Sequence, residues 1–118
     1  MKTTIDAAMA KELFKWYGRD YYYTFEGLRA IIDFYDEIDG NMEFDVIAIC
    51  CDCSEYGKGC CLSFSDMISD YEYMVIEEHA DSWYEMEEDE KVRAIVYELE
   101  ERTTVLHVSN GNYVVFDF

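Results

Sequence analysis

The chain has 118 residues, of which 27 are acidic and nine basic, so its formal net charge is −18. Hydrophobic residues make up 51% and aromatic residues 17%, a composition that excludes an intrinsically disordered protein and predicts one domain over residues 1–118. The charge also disfavours direct binding to nucleic acid or to an anionic membrane, because both carry the same sign.

The N-terminal residues predict a helix over residues 4–17. Apolar side chains recur there at i, i+4, i+8 and i+11, which places them on one helical face that we expect to be buried. They are Ile5, Met9, Leu13 and Trp16. Thr3 and Asp6 resemble a capping box, and the helix is predicted to stop at Gly18.

A second helix is predicted to begin after the three tyrosines Tyr21, Tyr22 and Tyr23, with Thr24 as its N-cap. It is predicted to end at Gly40. Its expected buried face consists of Leu28, Ile31, Ile32, Tyr35 and Ile38.

The middle of the chain predicts a strand, a loop and further helices. Residues 43–53, EFDVIAICCDC, are β-branched and apolar on both faces, which is typical of a central strand. A glycine-containing loop follows over 54–62, then a short helix over 63–70. Residues 72–101 are predicted to be mostly helical, either as one long helix or with a break near Met86–Asp89.

The C-terminal TTVLHVSNGNYVVFDF predicts a β-hairpin. Asn110 and Gly111 separate two β-rich runs, and this dipeptide favours a two-residue type I′ turn. The expected fold class is α+β, with a small antiparallel sheet of at least three strands packed against three to four helices.

The spacing of the cysteines suggests a zinc site, because Cys51 and Cys53 are followed by the pair Cys60 and Cys61. Structural zinc sites usually use two C-x(2–4)-C pairs, and adjacent residues of a strand point to opposite faces. We therefore expect no metal and no cofactor, with Cys50 and Cys51 acting as small core residues, and zinc remains the alternative. The chain contains none of the common nucleotide-binding, hydrolase or metalloprotease motifs, so we expect no enzymatic activity.

Residues 72–90, EYMVIEEHADSWYEMEEDE, carry nine carboxylates and no lysine or arginine. On a helix, Glu77, Asp81, Glu85 and Glu88 form one stripe, flanked by Glu78 and Asp89, while Tyr73, Ile76, Ala80 and Trp83 face the core. Solvated helix faces usually mix charges of both signs, whereas like charges at i, i+4 are destabilising. Four helical residues rise about 6 Å, so the stripe would present carboxylates at intervals close to those of phosphates.

Three segments resemble a family of small acidic proteins encoded by phages and mobile elements of Firmicutes. These segments are TFEGLRAIIDFYDEI, EFDVIAICCDCSEY and ERTTVLHVSNGNYVVFDF, about half of the chain. The matching positions are Phe25 to Leu28, Asp45 to Cys51, Ser54 to Tyr56, Arg102 to Val105, and Asp117 with Phe118. Residues 57–90 and the cysteines at 53, 60 and 61 lie outside the pattern. The resemblance implies an anti-defence or host-takeover role.

The sequence therefore predicts a non-enzymatic anti-CRISPR or antirestriction-like protein of the bacterial cytoplasm. By nucleic-acid mimicry it would block the nucleic-acid channel of a basic host nuclease, with no membrane and no nucleic acid as direct partner. The expected partner-binding residues are Glu77, Glu78, Asp81, Trp83, Tyr84, Glu85, Glu87, Glu88, Asp89 and Glu90, with Tyr73 as another possible aromatic anchor. The alternatives are a phage-encoded adaptor or antitoxin-like regulator that binds through a hydrophobic surface, and a small metal-dependent enzyme.

Overall fold

A three-stranded antiparallel sheet separates two layers of helices in the computed structural model, which describes residues 6–38 and 46–118. The strand order is β1-β3-β2, so β3 pairs with both neighbours. The strands are β1 Cys53–Tyr56, β2 Val105–His107 and β3 Tyr113–Phe116. The predicted α+β class with a three-stranded antiparallel sheet is confirmed, although the described residues form six α-helices rather than three or four.

The first helical layer packs on one face of the sheet. It consists of α1 Ala7–Trp16, α2 Phe25–Ile38 and α3 Val46–Asp52. Their buried side chains form a core with Val114 and Phe116 of β3. Because side chains alternate along a strand, Tyr113 and Val115 of β3 face the other layer.

The second layer is assembled from shorter pieces. It consists of α4 Phe64–Tyr71, a 3₁₀-helix Glu72–Met74, α5 Ile76–His79, a second 3₁₀-helix Ala80–Glu85 and α6 Glu88–Arg102. The predicted helix over 63–70 is confirmed as α4, which Ser63 opens through a capping box with Asp66. The predicted apolar face of α6 is also buried, and it consists of Val92, Ile95, Val96 and Leu99.

The predicted strand over 43–53 is wrong, because Val46–Asp52 forms α3 and the strand begins only at Cys53. Val46, Ile49 and Cys53 are buried while Ile47 is exposed, which is a helical period rather than a strand covered on both faces. A short apolar run is compatible with either structure, and here packing against the first layer decides. Cys51 is consequently exposed instead of lying in the core. Residues 43–45 lie outside the described residues.

The predicted buried face of α1 is also wrong. The helix buries the face that carries Ala7, Ala10 and Phe14, whereas Met9, Leu13 and Trp16 are 49%, 37% and 85% exposed. The two alanines leave room for α1 to pack closely on α2, while Phe14 supplies the volume of that contact. Asp6 caps the helix, since its Oδ1 accepts a 2.8 Å hydrogen bond from the Met9 amide. Thr3 and Ile5 lie outside the described residues.

The N-cap of α2 is confirmed at Thr24. The Gly27 amide donates to Thr24 Oγ1 at 2.9 Å, and Leu28, Ile31, Ile32 and Tyr35 are buried as predicted. Ile38 is 63% exposed and does not belong to the core. The predicted end of the helix at Gly40 lies outside the described residues.

The hairpin closes through three residues rather than a two-residue type I′ turn. The Val108 amide donates to the Asn112 carbonyl at 2.9 Å, and the Gly111 amide donates to the Val108 carbonyl at 2.9 Å. Gly111 has φ +92°, whereas Asn110 does not have the positive φ that a type I′ turn requires. This geometry is that of a three-residue loop whose last residue is left-handed.

A buried carboxylate joins the first layer, the sheet and the hairpin. The side chain of Glu55, which is 1% exposed, accepts hydrogen bonds from the Thr24 amide at 2.8 Å, from Thr24 Oγ1 at 2.7 Å and from Asn112 Nδ2 at 2.7 Å. Asn112 also bonds both backbone groups of Lys58. A Cβ on Gly27 would lie 1.9 Å from Glu55 Oε1, so only glycine fits between α2 and this carboxylate.

We predict that Gly27 and Glu55 are strongly coupled. In the wild-type chain, Gly27→Ala forces the carboxylate out of its bonds and lowers the free energy of unfolding by about 2–3 kcal/mol. In a Glu55→Ala background the same change stabilises α2 by about 0.5–1 kcal/mol, because alanine is the better helix former and the obstacle is absent. Urea unfolding of the four proteins measures this change of sign, and equal costs in both backgrounds would contradict it.

We predict that Gly111→Val destabilises the domain by about 1–2 kcal/mol, because a β-branched residue resists the left-handed region. No described atom lies within 4 Å of the added Cβ, so the cost comes from the backbone and not from a clash. Thermal unfolding measures the effect, with the exposed Ser109→Ala as control, which should stay within about 0.5 kcal/mol of wild type. An unchanged melting temperature for Gly111→Val would contradict the loop geometry.

Candidate protein-binding surface

The acidic segment 72–90 is not one helix. It passes through a 3₁₀-helix, the single turn α5 and a second 3₁₀-helix before α6 begins at Glu88. Ala80, with φ 38° and ψ −115°, interrupts the helical path between the last two of these pieces, and Met86 is extended. The predicted stripe of carboxylates at i, i+4 on one continuous helix is therefore wrong, and so is the regular 6 Å spacing inferred from it.

The carboxylates of this segment nevertheless share one property, since they point into solvent. Eight of them are exposed, and we call this set the acidic face: Glu77, Glu78, Asp81, Glu85, Glu87, Glu88, Asp89 and Glu90. Within the described parts of the chain, the only ion pair of the set joins Asp89 to Arg93 at 3.5 Å, between two exposed side chains. Glu88 accepts a 3.3 Å hydrogen bond from Ser65. The negative charge of the set is thus largely uncompensated.

Trp83 is the exception among the predicted partner-binding residues, because it is only 1% exposed. It packs in the core of the second layer, with the Lys91 ammonium 5.3 Å from its ring centroid and the His79 ring 5.8 Å away. It cannot serve as a surface anchor, so this prediction is wrong. Tyr84 and Tyr73 are 78% and 66% exposed and remain available for contact.

The burial of the other apolar residues in the segment differs from the prediction. Val75 is buried and Ile76 half-buried, whereas Tyr73 and Ala80 are exposed. Val75 and Trp83 therefore anchor the irregular backbone to the core from either side of Ala80. The carboxylates between and beyond these two anchors are carried on a surface fixed by packing.

Charge is distributed unevenly between the two parts of the sequence. Residues 63–118 contain 15 acidic and three basic side chains, a net charge of −12, whereas residues 1–62 contain 12 and six, a net charge of −6. The second helical layer belongs entirely to the more acidic part. A basic partner would accordingly be drawn to that side of the sheet.

The five cysteines are free and lie in different environments. Burial raises the pKa of the Cys53 thiol to about 12 and that of Cys60 to about 11, so both stay protonated near neutral pH. A metal bound by either thiol would have to displace this proton. Across residues 6–38 and 46–118, the structure brings together no group of three or more histidine, cysteine, aspartate or glutamate side chains suited to a metal ion.

A cleft of about 250 Å³ opens beside the three consecutive tyrosines. It is lined by Tyr21, Tyr22, Tyr23, Cys50, Cys53, Ser54, Glu55, Cys61 and Leu62. Its carboxylate, Glu55, already accepts three hydrogen bonds and so is not free to act as a base. The Tyr23 hydroxyl is likewise engaged with the Cys53 carbonyl, and burial raises the pKa of Tyr23.

Glu55 is identifiable in the sequence only through the resemblance, which does not predict its buried role. The sequence around Glu55, DCSEYGK, gives no local signal that its side chain is buried. Its partners Thr24 and Asn112 are 31 and 57 residues away, and only the fold brings them together.

No family model, no curated protein and no solved structure significantly matches this chain. None of the helices in the described residues combines the length and the apolar character needed to cross a membrane.

We predict that the two tryptophans report opposite environments. Trp16→Phe leaves only the buried Trp83, and Trp83→Phe leaves only Trp16, which is 85% exposed. Acrylamide should quench the fluorescence of Trp83→Phe several-fold more strongly than that of Trp16→Phe. The emission maximum of Trp83→Phe should also lie at a longer wavelength. Circular dichroism confirms that each variant is folded. Equal quenching of the two folded variants would contradict the burial of Trp83.

Proposed function

We propose that this chain is a non-enzymatic inhibitor that binds a basic, nucleic-acid-binding host protein through its acidic face. The proposed targets are defence nucleases, namely CRISPR effector nucleases and restriction enzymes. The observation that carries the proposal is the acidic face itself, eight exposed carboxylates of which only Asp89 forms an ion pair with a described residue.

Electrostatics supports such a partner. Uncompensated charge of one sign raises the rate of association with a surface of the opposite sign, and it discriminates against partners of like charge. A nuclease channel lined by lysine and arginine offers that complementary surface, because it is built to hold phosphates. The proposed inhibitor would occupy the channel in place of nucleic acid.

Packing supports a rigid binding surface. Val75 and Trp83 are buried on either side of the irregular turn at Ala80, and the N-terminal turn of α6 follows directly. Holding the carboxylates in place before binding reduces the ordering cost of association. The proposed mimicry thus uses a fixed, irregular surface rather than carboxylates evenly spaced along a helix.

Exposed tyrosines support arginine as a main contact of the acidic face. Tyr84 lies between Asp81 and Glu85 in the sequence, and Tyr73 precedes Glu77 by four residues. A guanidinium group pairs with carboxylates in a bidentate manner and also stacks on aromatic rings, whereas an ammonium group is a point charge.

A protein-binding adaptor is the second candidate, and one observation favours it. Met9, Leu13 and Trp16 are exposed on the layer opposite the acidic face, which gives the chain an apolar surface of its own. The two candidates differ in the surface that they use, so variants of one surface separate them.

We predict that neutralising the acidic face weakens inhibition without harming the fold. The variant carries Glu77→Gln, Glu78→Gln, Asp81→Asn and Glu85→Gln, four exposed positions without an ion pair to any described residue. Purified CRISPR effector nucleases and restriction endonucleases are assayed for DNA cleavage with and without the chain at ~0.05 M and ~0.5 M salt. The variant should inhibit the sensitive nuclease at least tenfold less well at low salt, and the difference should shrink at high salt, where the Debye length is a few Å.

The control variant removes the same number of charges from the other layer, at the exposed Asp20, Glu26, Asp33 and Glu37. It has the same net charge as the test variant and should inhibit like wild type. Duplex DNA without a cleavage site should compete with the wild-type chain for the nuclease. If the test variant inhibits as well as wild type at low salt, the acidic face does not mediate binding. If both variants lose inhibition equally, the effect depends on the net charge of the chain and not on the acidic face.

A further inference from the structure

The exposed side of α1 has the form of a helix-binding seam. Met9, Leu13 and Trp16 are spaced at i, i+4 and i+7, and together with Glu12 they surround a shallow depression of about 460 Å³. Four residues at i, i+3, i+4 and i+7 are the four that form the hole for one knob of a facing helix in a coiled coil. The opposite side of α1 is already packed in the core through Ala7, Ala10 and Phe14.

We propose that this seam binds the same seam of a second copy of the chain, with the two α1 helices antiparallel across a two-fold axis. This inference is independent of the function proposed above. A two-fold interface uses one patch on both subunits, so the patch must be complementary to itself.

The spacing of the seam meets that condition. The centre of the hole lies between Glu12 and Leu13, so in an antiparallel pair the knob that reaches it is Leu13 of the second copy. The same alignment places Met9 of each copy beside Trp16 of the other, a favourable contact between sulfur and an aromatic ring. The interface thus consists of a central pair of Leu13 side chains with a Met9–Trp16 pair on each side.

Charge along one edge of the seam is also complementary in this alignment. Glu12 lies beside the apolar stripe, with Lys15 three residues further on the same edge. In an antiparallel pair this edge meets itself, and Glu12 of one copy then lies within about 2–3 Å along the axis of Lys15 of the other, given a rise of 1.5 Å per residue. In a parallel pair this edge would instead meet the opposite edge of the second helix, so Glu12 and Lys15 would not face each other.

The location of α1 makes self-association compatible with the charge of the chain. α1 belongs to the layer opposite the acidic face, so the two acidic faces remain uncovered and lie outside the interface. Lys11, Lys15, Arg19 and Arg29 all fall in α1, α2 and the turn between them, so residues 6–38 have a net charge of −3, against −9 for residues 72–90. Repulsion between two chains of charge −18 still opposes association, and salt screens it.

The size of the seam predicts a weak dimer. Trp16 of the seam and its neighbour Tyr17, which follows the end of α1, are 85% and 54% exposed and offer roughly 250–300 Å² per copy, to which Met9 and Leu13 add part of their surface. The total for two copies is on the order of 800 Å², below the roughly 1,200 Å² at which stable interfaces begin. We therefore expect a reversible dimer that forms in the range of roughly 10–100 µM.

Sedimentation velocity of the full chain from ~1 to ~500 µM at ~0.05 M and ~0.5 M salt tests the proposal. The wild type should shift from monomer to dimer with concentration, and more readily at high salt. Leu13→Glu places two carboxylates at the two-fold axis and should weaken the dimer at least tenfold. Trp16→Gln should weaken it as well, and because Trp16 is already exposed the variant keeps its fold, which circular dichroism verifies. Tyr97→Glu is the control, because it adds a charge at a 73% exposed aromatic residue on α6 and should leave the dimer unchanged.

A pair of charge variants tests the antiparallel alignment. Lys15→Glu should weaken the dimer two- to threefold, and adding Glu12→Lys should restore it, because the pair is then reversed rather than lost. A wild-type chain that stays monomeric to ~500 µM at ~0.5 M salt would overturn the proposal and leave the seam to a different protein. A dimer that is indifferent to Leu13→Glu and to Trp16→Gln would overturn it too, since another surface would then form the interface.

Discussion

The carboxylate of Glu55 is the constraint on which the arrangement of the layers depends. Burying an acidic group in a protein is unfavourable unless hydrogen bonds replace its water, and here three donors do so. The donors come from the start of α2 and from the end of the hairpin, so the group is satisfied only when both are in place. A single side chain thereby couples local helix capping to the closure of the sheet.

This junction also explains why glycine occupies two nearby positions. A Cβ on Gly27 would overlap Glu55, and a Cβ on Gly57 would lie 2.0 Å from Asn112 Oδ1. Glycine permits close approach at both positions, and Gly57 also has φ +145°, a conformation that residues with a Cβ rarely adopt. With the junction rigid, the two helical layers are free to differ in character, one packed tightly through α1 and α2 and the other built from short pieces that carry the acidic face.

The difference between the two helical layers also relates the fold to the proposed function. The second layer concentrates negative charge on an irregular backbone that its own core residues hold in place, and like charges in such a layer oppose folding. Burial of Trp83, Val75 and the apolar face of α6 offsets that repulsion. The first layer and its turn carry four of the eight basic residues that the structure describes, together with an exposed apolar seam, which suits contact with a second copy rather than with a cationic target.

The sequence predicted well those features that depend on local chemistry. The N-cap at Thr24, the capping box at Ser63 and the buried face of α6 follow from residues within one or two turns of each other. The α+β class was also predictable, because the C-terminal β pattern is strong. The acidic face was identifiable by composition alone, since exposure is the expected state of a carboxylate.

Features set by distant contacts were not predictable in this way. The period of VIAICC fits a helix or a strand, and only packing against the first layer selects α3. The apolar residues Met9, Leu13 and Trp16 predicted the buried face of α1, yet Ala7, Ala10 and Phe14 form it, because close packing on α2 requires small residues beside Phe14. Ala80 interrupts the predicted helix, although no glycine or proline at this position signals a break. The partners of Glu55 are distant in sequence and form no motif.

Hydrogen exchange on the chain bound to a nuclease that it inhibits tests the central claim most directly. The account predicts that binding slows amide exchange in residues 76–92, which carry the acidic face, and leaves α1 and residues 21–23 unchanged. Protection confined to α1 and the three tyrosines, with none in residues 76–92, would contradict it.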